Sequence, residues 1–169
     1  VDDYFARMRR LLLLLVLLAI AQFIRPDTTP SVSDPALDLI ATTRPRAEVA
    51  SLLRTACYDC HSNETKYPWY DRITPVNWWV QHHVDEGREE GNLSEWALMS
   101  EKHRAHFVDE AAELIEAGEM PLPSYTWMHG EAKLDGPQRK LLIDFFQSLP
   151  EAATEWRRGK RKPETESGH

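Results

Sequence analysis

The 169-residue chain contains only two cysteines. They are Cys57 and Cys60, and His61 follows directly. So local a pair cannot staple a disulfide-built fold, which needs cysteines spread along the chain. A four-ligand zinc site would call for a second ligand pair, and no other cysteine exists to form one. A dithiol redox motif normally accompanies a βαβ pattern, which is missing here. What remains is the arrangement C-x-x-C-H, read here as CYDCH (57–61). Two thiols at this spacing can add across the two vinyl groups of a haem, and the histidine then supplies an axial nitrogen to the iron. The motif therefore predicts one covalently attached haem c held by Cys57, Cys60 and His61.

The sixth iron position has several candidates: Met99, Met120, Met128, His82, His83, His103, His106 and His129. Met120 is preferred. It lies in a proline-containing loop, GEMPLPSY (118–125), that precedes a final amphipathic helix. Small cytochromes c share this order of entry helix, attachment motif, loop methionine and closing helix. A thioether ligand favours ferrous iron and suits an electron carrier. The competing role for Met120 is that of a gap-filling core residue. His82 and His83 sit on a polar helix and read as surface residues, as do His103 and His106, which share a helix face but show no third ligand. His129 follows the methionine loop closely enough to reach a haem edge. Among the aromatic residues, Trp69 and Tyr70 follow the attachment motif most closely and are the expected haem contacts.

Along the chain, residues 1–25 combine a basic start (RMRR, 7–10) with an uncharged stretch, LLLLLVLLAIAQFI (11–24). At ~1.5 Å per residue that stretch reaches about 21 Å, against a hydrocarbon core of ~30 Å. A cleaved signal segment and a retained anchor both remain open, with the anchor preferred. Either reading sends everything after Arg25 out of the cytoplasm, with a retained anchor crossing the cytoplasmic membrane once. Residues 26–46, rich in proline and small polar residues, read as an extended linker. The haem domain is expected over 47–150, and 151–169 as a charged flexible tail.

Helical periodicity marks 46–56, 77–86, 94–117 with Ser94 as N-cap and Gly118 as stop, and 136–149. No strand is signalled, so the fold is expected to be mostly α, a small cytochrome c-like helical domain around one haem, preceded by an N-terminal hydrophobic helix. The formal net charge of −7 suits neither nucleic acid nor an anionic lipid face. It favours positively charged redox partner proteins.

Taken together, ACYDCHSNETKYPWYDRITPVNWWVQHHVDEGREEGNLSEW (56–96), QFIRP (22–26) and GEMPLPSYTWMHGEAKL (118–134) resemble the bacterial haem-binding domain family of predicted monohaem c-type cytochromes. The likeness covers about 49–149. It implies haem attachment through Cys57, Cys60 and His61, with the methionine of the family's G-x-M-P loop falling on Met120. One departure is His129-Gly130, where His-Pro would be expected. The resulting expectation is a membrane-anchored carrier of electrons, without catalysis, working with redox partners or inside a membrane complex. A haem sensor or peroxidase-like enzyme with an open sixth position, and an accessory structural subunit, are the alternatives.

Overall fold

The computed structural model describes residues 2–29 and 31–150; the tail from residue 151 lies outside the described residues. Among the described residues the regular structure is helical throughout, without a strand. The body is built on three helices. Helix α3 (Ala47–Ala56) buries Val49 and Leu53, α6 (Glu101–Ala117) buries Phe107, Val108 and Ile115, and α8 (Gly136–Ser148) buries Leu142 and Phe146. Their apolar positions recur at helical spacing, so each helix offers one stripe, and α8 lies against both α6 and α3. Each large side chain so buried contributes roughly 1.5–3 kcal/mol.

The helix ends are specified locally. Asp135 and Gln138 form a reciprocal capping box at the start of α8, with bonds of 2.8 and 2.9 Å, and Pro137 supplies a preset φ in the first turn. Gly118 closes α6 in the left-handed region at φ 75°, where a β-carbon would be strained.

Two elements depart from the periodicity. The helix expected over 94–117 is broken: a 3-10 turn covers Leu93–Leu98, and α6 starts afresh behind Ser100, whose hydroxyl accepts from the His103 amide at 3.2 Å. Ser94 is not the N-cap. It is buried, and its hydroxyl accepts the Asn63 amide at 3.1 Å, a local bond that competes with helix continuation. Helix α5 (Val76–Glu90) runs a full turn beyond its expected end.

The stretch read as an extended linker is half folded. A 3-10 turn at Pro35–Leu37 leads into α2 (Leu39–Thr43), and Leu39 is fully buried in the core. One side chain explains the placement. The Asp38 carboxylate caps α2 through the Ile40 amide at 2.8 Å and also takes the buried Tyr58 hydroxyl at 2.9 Å. Tyr58 opens the short helix α4 (Tyr58–His61), so Asp38 ties the supposed linker to the cysteine motif itself.

The N-terminal segment forms α1 (Asp2–Ala21), but it does not bear out a membrane-spanning anchor. No helix among the described residues is long and apolar enough to cross a membrane. Arg7, Arg9 and Arg10 occupy the first half of α1, and the uncharged part from Leu11 to Ala21 spans about 16 Å at ~1.5 Å per residue, roughly half the ~30 Å required. The single crossing of the cytoplasmic membrane, and the placement of the haem domain that followed from it, are therefore not supported. The end of α1 is instead fastened to the body. The Gln22 side-chain amide exchanges two 3.0 Å bonds with the Thr74 backbone, and the Trp78 indole donates to the Ile24 carbonyl at 2.9 Å.

Candidate haem-binding site

Helix α3 runs directly into the motif. The Cys57 amide still bonds the Leu53 carbonyl at 2.9 Å, and the Cys57 carbonyl then accepts from Cys60 at 3.2 Å and from His61 at 2.9 Å. One tight turn thus brings both thiols and the imidazole together. Helix α5 braces this turn from outside, where Arg88 donates to the Ser62 carbonyl at 2.8 Å and to the Thr65 hydroxyl at 2.9 Å.

The approach of α5 is close enough to need a glycine. A β-carbon at Gly87 would lie 2.9 Å from the Cys60 carbonyl oxygen and 3.1 Å from the Cys60 β-carbon. Both are parts of the motif that cannot swing aside. Gly87→Ala is therefore expected to push α5 off α4 and cost about 1–3 kcal/mol, the usual range for overpacking. Thermal unfolding of the variant beside the parent checks this, and an unchanged midpoint would refute it.

Met120 arrives from the far end of α6. After Gly118 the chain doubles back, and the amides of Glu119 and Met120 both bond the Leu114 carbonyl, at 2.9 and 3.2 Å. This sets Met120 into the same cavity as Cys57, Cys60 and His61. The cavity measures about 560 Å³, within the range of sites that enclose a cofactor. Phe107, Leu114, Leu142 and Phe146 supply much of its apolar wall.

The electrostatics fit a haem and disfavour thiol redox chemistry. Burial pushes the Cys57 thiol up to about 12 and the Cys60 thiol up to about 11, so both are neutral, whereas reactive dithiols have a depressed value. Burial likewise holds the His61 imidazole below its ordinary value, leaving it neutral and able to offer a lone pair to a metal. Its Nδ1 is buried without a hydrogen-bond partner, and its ring is held edge-on to Phe107 at 5.5 Å.

A family model described as a haem-binding domain matches residues 16–148, most of the chain. The chain belongs to the haem-binding domain family. No similar curated protein and no similar solved structure was found. The family's span begins inside α1, so it takes in the Gln22 fastening and the Asp38 tie as well as the motif, Met120 and α8.

The other expected site residues of this haem-binding domain fall elsewhere. Trp69 is 71% exposed, and neither it nor Tyr70 lines the cavity. Burial, then the nearby Asp59, Asp71 and Cys60, hold the Tyr70 phenol above its ordinary range, so Tyr70 stays near the motif while Trp69, on the same 3-10 turn, faces solvent. Met99 packs on the core outside the cavity, and Met128 is half exposed. His82 and His106 are largely exposed beside Glu86 and Glu110, and the His103 ring bonds the Glu90 carbonyl at 2.8 Å.

His83, read as a surface residue, does line the cavity, and so does Tyr125. The i, i+4 spacing of His83 to Gly87 puts both on one face of α5, and that face was legible only once Gly87 was known to touch Cys60. Glu86, Glu89, Glu90 and Glu110 also border the cavity, and no lysine or arginine does among the described residues.

His129 takes part in an aromatic group at the cavity wall. Its Nε2 lies 2.9 Å from the Tyr70 hydroxyl, and its ring stacks on Tyr125 at 4.4 Å with planes 15° apart. Tyr125, from α7 (Pro123–Met128), donates to the Asp59 carboxylate at 2.7 Å. Burial and the bond to Asp59 hold the Tyr125 phenol well above its ordinary range.

Proposed function

We propose that this haem-binding domain carries a single haem c and passes electrons one at a time. The observation that carries the reading is the meeting of Cys57, Cys60, His61 and Met120, from two distant stretches of chain, at one largely apolar cavity. Cys57 and Cys60 would hold the group through thioethers, each thiol giving its sulfur to one vinyl carbon and its hydrogen to the other, so no oxidant is consumed. His61 and Met120 would be the side chains that hold the haem iron. Bound haem supplies a one-electron iron couple.

The rest is done by the protein. Phe107, Leu114, Leu142 and Phe146 exclude water from the cavity, and iron held by both His61 and Met120 would leave no open site for substrate, which favours transfer over catalysis. Glu86, Glu89, Glu90 and Glu110 give the cavity border a negative field that suits a cationic face on the redox partner.

The test is expression in a host that attaches haem, followed by acid–organic extraction and exposure of the reduced protein to carbon monoxide. The haem is expected to stay with the chain, and carbon monoxide to leave the spectrum unchanged. Haem that extracts freely would remove the covalent reading. Ready carbon monoxide binding would remove the carrier reading in favour of a sensor or an enzyme.

A further inference from the structure

Two motifs have no part in holding the iron: Pro-Trp-Tyr at 68–70, and the tyrosine and histidine of YTWMH at 125–129. The fold brings them together. From the cavity wall outward, Tyr125 stacks on His129 at 4.4 Å, His129 Nε2 meets the Tyr70 hydroxyl at 2.9 Å, and Tyr70 meets Trp69 edge-on at 5.7 Å between ring centroids. Trp69 is 71% exposed. The rings make an unbroken series of stacking, hydrogen-bonded and edge contacts from the cavity to the surface.

We propose that Tyr125, His129, Tyr70 and Trp69 form an electron path between the cavity and an exit at Trp69. This deepens the electron-transfer reading and rests on it. Tunnelling falls steeply with each gap between atoms that are not in contact, and stacked or hydrogen-bonded rings keep those gaps short. A second aromatic contact, Trp79 on the cavity-lining His83 at 4.6 Å, starts from another part of the cavity wall and does not meet this series. The electron leaves ferrous iron, which becomes ferric, and passes to a one-electron acceptor seated at Trp69. No bond forms or breaks on the way. Tyr125 keeps its proton on the Asp59 bond, and Tyr70 keeps its own beside His129. The competing route is the cavity border itself, at Glu89.

The two routes separate with a tethered photoreductant. Once haem is attached, Cys57 and Cys60 are consumed, so a single introduced cysteine is the only free thiol. A ruthenium polypyridyl label is placed at Arg72→Cys, exposed on the same turn as Trp69 and leaving that ring in place (the Trp69 series), or, in a second protein, at Glu89→Cys, and flash reduction of the ferric haem is timed. In the Trp69 series, Tyr125→Leu and His129→Leu are expected to slow the transfer severalfold, while Tyr125→Phe, which keeps the ring, retains the rate. In the Glu89 series the same substitutions should leave the rate unchanged, which also shows that the haem site is intact. Equal slowing in both series, or none in the Trp69 series, overturns the path. Labelling at three thiols instead of one would signal that haem is not thioether-bound, a failure of the parent reading and not of the path.

Discussion

Replacing Cys57 and Cys60 together with serine is expected to turn a haem that survives acid–organic extraction into one that is lost completely. On the proposed reading the thioethers would act as a tether: with them, iron ligation by His61 and Met120 would be intramolecular, and a ligand that lets go would recapture the iron at once. Without them, retention rests on two axial bonds and apolar contact, and any escaped haem is diluted into solvent. The scaffold itself should tolerate the change. A serine hydroxyl left unsatisfied where a thiol was buried costs about 1–3 kcal/mol, a fraction of the stability of an ordinary domain. Mass spectrometry for covalent haem, with far-ultraviolet circular dichroism as the folding control, reads both parts. Haem still bound covalently in the double variant would refute the assignment, since no other cysteine exists in the chain.

Met120→Ala should have the second largest effect. Alanine leaves the sixth position empty, so the sulfur-to-iron band of the ferric form should vanish and carbon monoxide should bind the reduced protein. Loss of the thioether also removes its preference for ferrous iron. The midpoint potential is expected to fall by on the order of 100 mV, a modest part of the ~0.8 V that axial ligation spans. Some destabilisation accompanies it, because Met120 packs against the core, but less than the 2–5 kcal/mol typical of a fully buried methionine since the side chain is only partly buried. Met120→His separates the two effects: it refills the sixth position and should restore resistance to carbon monoxide while keeping the potential low. A sulfur band that persists in Met120→Ala would show that Met120 is not the ligand.

Much of the site was legible because its chemistry is local. Cys57, Cys60 and His61 fall within one helical turn, so their convergence follows from spacing alone. The apolar stripes of α3, α6 and α8 follow from period, and the stop at Gly118 from a residue whose conformational preference is its own. Met120 was reachable by order along the chain, since a proline-bounded loop between two amphipathic helices has few places to go.

Other parts were not legible, for one recurring reason. Ser94 has the composition of an N-cap, yet its hydroxyl serves the amide of Asn63, thirty-one positions away. Asp38 reads as a linker residue, yet it answers the hydroxyl of Tyr58 and draws Leu39 into the core. In both cases a buried polar group had to find a partner, and the partner lies far off in sequence. Trp69 and Tyr70 lie outside the cavity lining for a related reason: Tyr70 is drawn to the His129 ring, fifty-nine positions away.

The sequence by itself determined the mostly helical class, the C-x-x-C-H spacing and the methionine loop, because spacing, periodicity and turn chemistry act within a few residues. Only the tertiary structure decided where the folded body begins, that His83 and Tyr125 rather than Trp69 and Tyr70 face the cavity, and that the two aromatic motifs meet through Tyr70 and His129. Those outcomes depend on which buried groups satisfy one another across the core, and that choice is made by packing of the whole chain at once.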